Sequence, residues 1–317
     1  KENAEALTST ALTEDQKTRR KLEEYHSAPK TGAVDFAWPY LKHEDRFIRY
    51  AARIAVEHQP LNEWKQKALT EKDPVILFES MIALARKGDA KDKNSMLAAL
   101  QSVNYDQLTE SQQIDLIRAF ELVMARMGMP DATAKAAIIT YLDPHYPAKG
   151  GNELNRELIK VLAYLDAPQL AEKTVPLLSV AKDDNSSGQQ SATNSSDLIM
   201  RNPQYGMDIA NILAKLPPLQ QTFYATALSQ VKTGWTPALD DNYFKWYYKA
   251  FSYRGGHSFV GFIDSARKAA LKNVPADRFA YFNTLSGASI VGLSARNLEV
   301  GMKQPLGPGR RWKIEEA

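Results

Sequence analysis

Apolar residues recur at helical spacing through most of this chain, and the stretch HEDRFIRYAARIAVEHQP at 43 to 60 sets the pattern. Behind its charged opening turn, Phe47, Ile48, Ala51, Ala52, Ile54 and Ala55 predict one buried helix. Gln59-Pro60 ends it, because the residue before a proline is pushed out of the helical region and the proline cannot continue the ladder. Upstream, Thr13-Glu-Asp-Gln16 has the reciprocal Thr and Gln spacing of a helix start. Downstream, Leu61, Trp64, Ala68 and Leu69 mark a partner helix at 61 to 70. Asp73-Pro74 opens the next, with Val75, Phe78, Ile82 and Ala85 inward, and Met96, Leu97 and Leu100 belong to its return.

Thr109-Glu-Ser-Gln112 repeats the capping pattern ahead of Ile114, Ile117, Leu122 and Val123, and Asp131 caps a helix carrying Ile138, Ile139 and Leu142. A fourth unit starts at Asn152 with Leu154, Leu158, Val161, Leu162 and Leu165 inward, and Pro176 should kink its return at 169 to 181. These units begin near 45, 73, 113 and 152, an irregular spacing of roughly 28 to 40 residues. Helix pairs with such spacing predict an all-α fold, an α-solenoid of degenerate HEAT-like repeats, with an irregular helical bundle as the competing arrangement. The expected organisation is helical repeats over 1–182, a polar loop or linker over 183–204, a C-terminal helical part over 205–295 and a tail over 296–317 rich in Gly and Pro. Within the C-terminal part, helices are expected near 205 to 215, 218 to 232, 238 to 251, 258 to 272 and 276 to 285. DDNSSGQQSATNSSD at 183 to 197 has almost nothing to bury and should be the most mobile internal segment.

Composition narrows the function classes. The chain has 317 residues, 44% hydrophobic and 24% charged, enough to bury a core. A net charge of +3 and one short basic run, KTRRK at 17 to 21, argue against a nucleic-acid partner. Zero cysteines exclude disulfides, thiolate metal sites and covalent haem within the stretch. No apolar run of spanning length is present, so neither a membrane span nor a signal peptide is expected within this stretch. A start at Lys1 suggests a processed protein or a piece of a longer one.

Candidate chemistry is sparse. His26, His43, His58, His145 and His257 lack the spacing of a zinc site, so no metal, no cofactor and no catalytic residue is assigned. Arg49, Arg53 and Glu57 share one helix face and read as ion pairs between repeats, with a ligand groove as the competing reading. The loop around His145 and Tyr146 reads as a shaped connection. The densest region is NYFKWYYKAFSYRGGHSF at 242 to 259, with more aromatic rings than one core-facing stripe holds. The candidate interface is therefore Tyr243, Trp246, Tyr247, Tyr253, Arg254 and His257, its rings giving buried area and Arg254 and His257 giving orienting hydrogen bonds. An enzyme site between Tyr253 and His257 is a third reading.

The segments AWPYLKHEDRFIRYAARIAVEHQPLNEW, ITYLDPHYPAKGGNELNRELIKVLAYLDAP, KTGWTPALDDNYFKWYYKAFSYRGGHSFVGFI and LGPGRRWKIEEA resemble the HEAT-like helical region of large secreted proteins of Planctomycetes and Bacteroidetes. Those proteins join a sorbosone-dehydrogenase-like β-propeller, this helical region and a c-type cytochrome domain. The resemblance implies a periplasmic or secreted non-catalytic scaffold whose partners, the propeller and the cytochrome c, lie outside this polypeptide. A stand-alone solenoid binding a peptide or glycan through Arg49, Arg53 and the loop near His145 is the alternative.

Overall fold

A computed structural model of the chain describes residues 12–183, 218–253 and 259–290. Among the described residues there are fifteen α-helices and four short 3-10 turns, and no strand. The chain divides into two compact units, Lys1–Ala167 and Pro168–Ala317.

In the first unit, α1 is Glu14–Glu23, α2 Ala33–Ala37, α3 Arg46–Glu57, α4 Leu61–Leu69, α5 Pro74–Lys87, α6 Lys93–Gln101, α7 Glu110–Met127, α8 Ala132–Leu142 and α9 Asn152–Tyr164. Helix starts follow the side-chain chemistry. Thr13 and Thr109 each form a complete capping box with the Gln three residues on. Asp73 accepts from the amides of Val75 and Ile76 at 3.1 and 3.3 Å, with Pro74 at the first helical position. Asp131 caps α8 through the Ala134 amide at 2.9 Å. Gly128, at φ 81, ends α7, in a backbone region where a side chain would be strained.

The helices of this unit fall into two layers. Helix α3 packs on α5, α5 on α7 and α7 on α9, while α4 packs on α6 and α6 on α8. Between the layers lie Ile48, Ala52, Trp64, Met81, Leu84, Leu97, Phe120 and Leu158, all buried. Small residues on α3 let its neighbours approach: Ala51, Ala52 and Ala55 are buried, and α1, α2 and the 3-10 turn Trp38–Lys42 also pack on it.

Phe47 departs from the expected inward stripe and is 53% exposed. At about 100° per residue, the buried stripe of α3 centres on Ile48, Ala51, Ala52 and Ala55. Phe47 lies on its edge, in a second stripe with Tyr50 and the half-buried Ile54 that spans about 60° of arc.

In the second unit, α10 is Leu170–Thr174, α11 Leu177–Val180, α12 Leu219–Leu228, α13 Pro237–Ala250, α14 Phe259–Leu271 and α15 Ala276–Leu285. At Pro176, where a kink is expected, the helix breaks instead into α10 and α11. The expected domain boundary after 182 is not where the units divide. Helices α10 and α11 pack on α12, and the Asp183 carboxylate accepts from the Leu219 and Gln220 amides at 2.9 and 2.7 Å, capping α12 from afar. Gly234, at φ 77, lies against the Pro168 carbonyl so closely that a Cβ there would stand 1.9 Å from its oxygen. Residues 168–183 thus belong with the C-terminal helices. The segment 184–197, the helix expected near 205 to 215 and the tail 296–317 lie outside the described residues.

Candidate functional site

The aromatic helix α13 is the centre of the second unit. It touches α11, α14 and α15, and its tyrosines reach α12. The Tyr243 hydroxyl lies 2.7 Å from the Ala225 carbonyl and 2.9 Å from the Tyr247 hydroxyl, and Tyr247 reaches the same carbonyl at 3.2 Å. Trp246 Nε1 donates to Gln221 Oε1 at 3.3 Å, while Gln221 Nε2 donates to the Ala181 carbonyl at 2.8 Å. Phe244 stacks on Phe282 with centroids 4.8 Å apart. Burial pushes both phenols, Tyr243 and Tyr247, above their usual range.

This corrects the expected interface. Tyr243, Trp246 and Tyr247 are core residues, at most 5% exposed. The one-stripe argument holds for a helix on a surface, whereas a helix surrounded by others buries a wider arc, here about 160° from Trp246 to Phe244. Tyr253 is half-buried, and Arg254 and His257 lie outside the described residues. Among the described residues of this unit, the exposed rings are Tyr248, Phe262, Phe279 and Tyr281. Tyr243 lines a hollow of about 220 Å³ with Trp235, Asp240 and Phe244.

In the first unit, Arg49 and Arg53 do come together, on the outer side of the α3 and α5 pair. Both reach Glu79 of α5: Arg53 Nη1 donates at 2.9 Å and Arg49 Nε lies at 3.6 Å. Arg49 Nη1 also donates to the His43 and Glu44 carbonyls at 2.7 and 3.0 Å, which fixes its guanidinium. Glu57 receives Arg86 Nε at 2.9 Å, and Arg53 Nε faces it at 3.6 Å. The pattern continues on α7 and α9. Arg118 meets Glu153 and Glu157 at 2.7 and 3.4 Å, and Lys160 pairs with Glu121 and Glu157. Helix α7 reaches α5 through Arg126 Nε, which donates to the Ala85 carbonyl at 3.1 Å. The largely buried Arg53 pairs add little net stability because desolvation offsets their attraction, and the exposed Arg118–Glu153 pair adds little because water screens it, but together they fix which carboxylate faces which cation. Burial raises the Glu79 carboxyl above its usual range despite its two arginines.

An open groove of about 390 Å³ runs over this end of α3, lined by Arg46, Phe47, Arg49, Tyr50, Arg53 and Glu79. Phe47 and Tyr50 are 53% and 55% exposed and one turn apart. Each carries a guanidinium on its ring, Arg46 at 4.8 Å and Arg53 at 5.3 Å. Arg46 pairs with no carboxylate among the described residues. Sequence reasoning found Arg49 and Arg53 but placed Phe47 in the core and passed over Tyr50 and Arg46. An exposed apolar i, i+3 pair inside an arginine-rich turn is the signal that marks them.

His145 does not line this groove. It stacks on Tyr105 at 3.9 Å, and its loop is held by Asn155, which accepts from the Ala148 amide at 2.8 Å and donates to the Ala148 carbonyl at 3.0 Å. Among the described residues no three His, Asp or Glu side chains gather as a metal site would require. No described helix is long and apolar enough to cross a membrane. No protein-family model, curated protein or solved structure matches the chain.

Proposed function

We propose that this chain is an α-solenoid of degenerate HEAT-like repeats that acts as a non-catalytic interaction scaffold. The observation that carries this reading is the alternation in the first unit, where successive helices pack in two layers and charged side chains bridge α3 to α5 and α7 to α9. Those charges are engaged with one another rather than converging on a reacting atom, as a catalytic constellation would.

The sequence resemblance extends the proposal. The parent protein would be periplasmic or secreted, and the scaffold would hold a sugar-dehydrogenase-like propeller and a c-type cytochrome in register, with no cofactor of its own. The full reading frame and haem staining of its product test this. A CxxCH motif downstream of residue 317 and covalent haem in the product are expected. A product with neither would overturn the redox parentage. The reading then left is a stand-alone peptide- or glycan-binding solenoid, which the open groove on α3 supports.

A further inference from the structure

This inference rests on the interaction reading and names what the scaffold binds. We propose that the groove on α3 receives an acidic peptide segment of a partner polypeptide. Its lining presents three guanidiniums, Arg46, Arg49 and Arg53, to one carboxylate, Glu79. Tyrosine and arginine are among the residue types that most often dominate protein interfaces, and here Tyr50 and Phe47 are interleaved with Arg46, Arg49 and Arg53 over two turns of one helix. Phe47 and Tyr50 offer apolar area to a side chain of the segment, while its carboxylates meet the arginines stacked beside them.

The same face excludes a long polyanion. Asp115 is close enough to Arg49 and Glu79 to act on both, and beyond it Glu121, Glu153 and Glu157 outnumber Arg118 and Lys160. A phosphate backbone or sulfated polysaccharide following this layer would leave a basic turn for an acidic one. A short segment with its carboxylates confined to α3 meets three arginines and the single carboxylate of Glu79.

The test probes a peptide array of graded Asp and Glu content with the full chain, then measures the strongest peptide by fluorescence anisotropy. Binding should rise with acidic content, weaken with added salt, and fall about five- to tenfold in Arg46→Glu and in Tyr50→Ser. Both side chains are exposed, so unchanged melting temperatures verify that the variants fold. Binding that ignores acidic content or both substitutions would overturn the proposal. So would tighter binding of a uronic-acid oligosaccharide than of any acidic peptide, or a dimer of the chain that the same substitutions dissociate. If no acidic peptide binds, yet Phe47 and Tyr50 become shielded from hydroxyl radicals when the chain is joined to its neighbours, the occupant is wrong and the scaffold reading stands. Absence of both effects removes both.

Discussion

Two tyrosine hydroxyls share one carbonyl in the core of the second unit, and their arrangement predicts a specific coupling. Each hydroxyl has one proton, so one tyrosine donates to its neighbour while the other donates to Ala225, 2.7 Å from Tyr243 and 3.2 Å from Tyr247. Tyr243→Phe and Tyr247→Phe should each cost about 1 kcal/mol, because the survivor can still reach the carbonyl. The double mutant should cost clearly more than the sum, since it leaves that buried carbonyl without either donor. Urea denaturation of the four proteins checks this, and simple additivity would contradict it. Tyr247→Ala should cost about 3 to 5 kcal/mol in this chain alone, as for other large core side chains. A loss below about 1 kcal/mol would return Tyr247 to the surface role that the sequence suggested.

Helix α5 shows how a cap makes an element depend on pH. Burial works to raise the Asp73 carboxyl, but Lys42 at 2.8 Å and the amides of Ile76 and Val75 outweigh it and hold the group below its usual value. A carboxyl lowered in the folded state contributes fully above its unfolded pKa and loses that contribution as pH falls through the folded value. The melting-temperature advantage of wild type over Asp73→Asn should therefore shrink as pH falls below the ordinary aspartate value of 3.8. An advantage that stays constant or grows would contradict the cap's role. At neutral pH, Asp73→Ala should cost about 1 kcal/mol.

Caps of this kind made the helices readable. Thr13, Asp73, Thr109 and Asp131 each stand where local chemistry alone sets a helix start, and the starts expected there are found. The candidate site was far less readable. Periodicity reports how apolar residues are spaced around a helix, not how many neighbours the helix has. It therefore put Phe47 inside and Tyr243, Trp246 and Tyr247 outside, when α13 packs against several helices and the edge of α3 is bare.

At the scale of the whole molecule, the division at Ala167 and Pro168 was hidden for a related reason. The polar run after 182 is the conspicuous break in composition, whereas Leu170, Ala171 and Leu178 give no local hint that they pack on α12 rather than with the helices before them. A fragment ending at Ala167 should therefore unfold in one cooperative urea transition. Extending it to Lys182 should add no stability and lower solubility, because α10 and α11 would lack the helix that covers them. A clear gain in stability on extension would contradict the boundary.

If the exposed turn of α3 docks an acidic segment, that segment should cover its rings. Hydroxyl-radical footprinting of the chain alone and saturated with the strongest-binding acidic peptide tests this most directly, because Phe47 and Tyr50 are exposed rings that oxidise readily when bare. Met129 and Tyr164, also exposed and outside the groove, serve as internal references. Oxidation of Phe47 and Tyr50 should fall severalfold with the peptide bound while that of Met129 and Tyr164 is unchanged. Equal oxidation of Phe47 and Tyr50 in the two samples would contradict it.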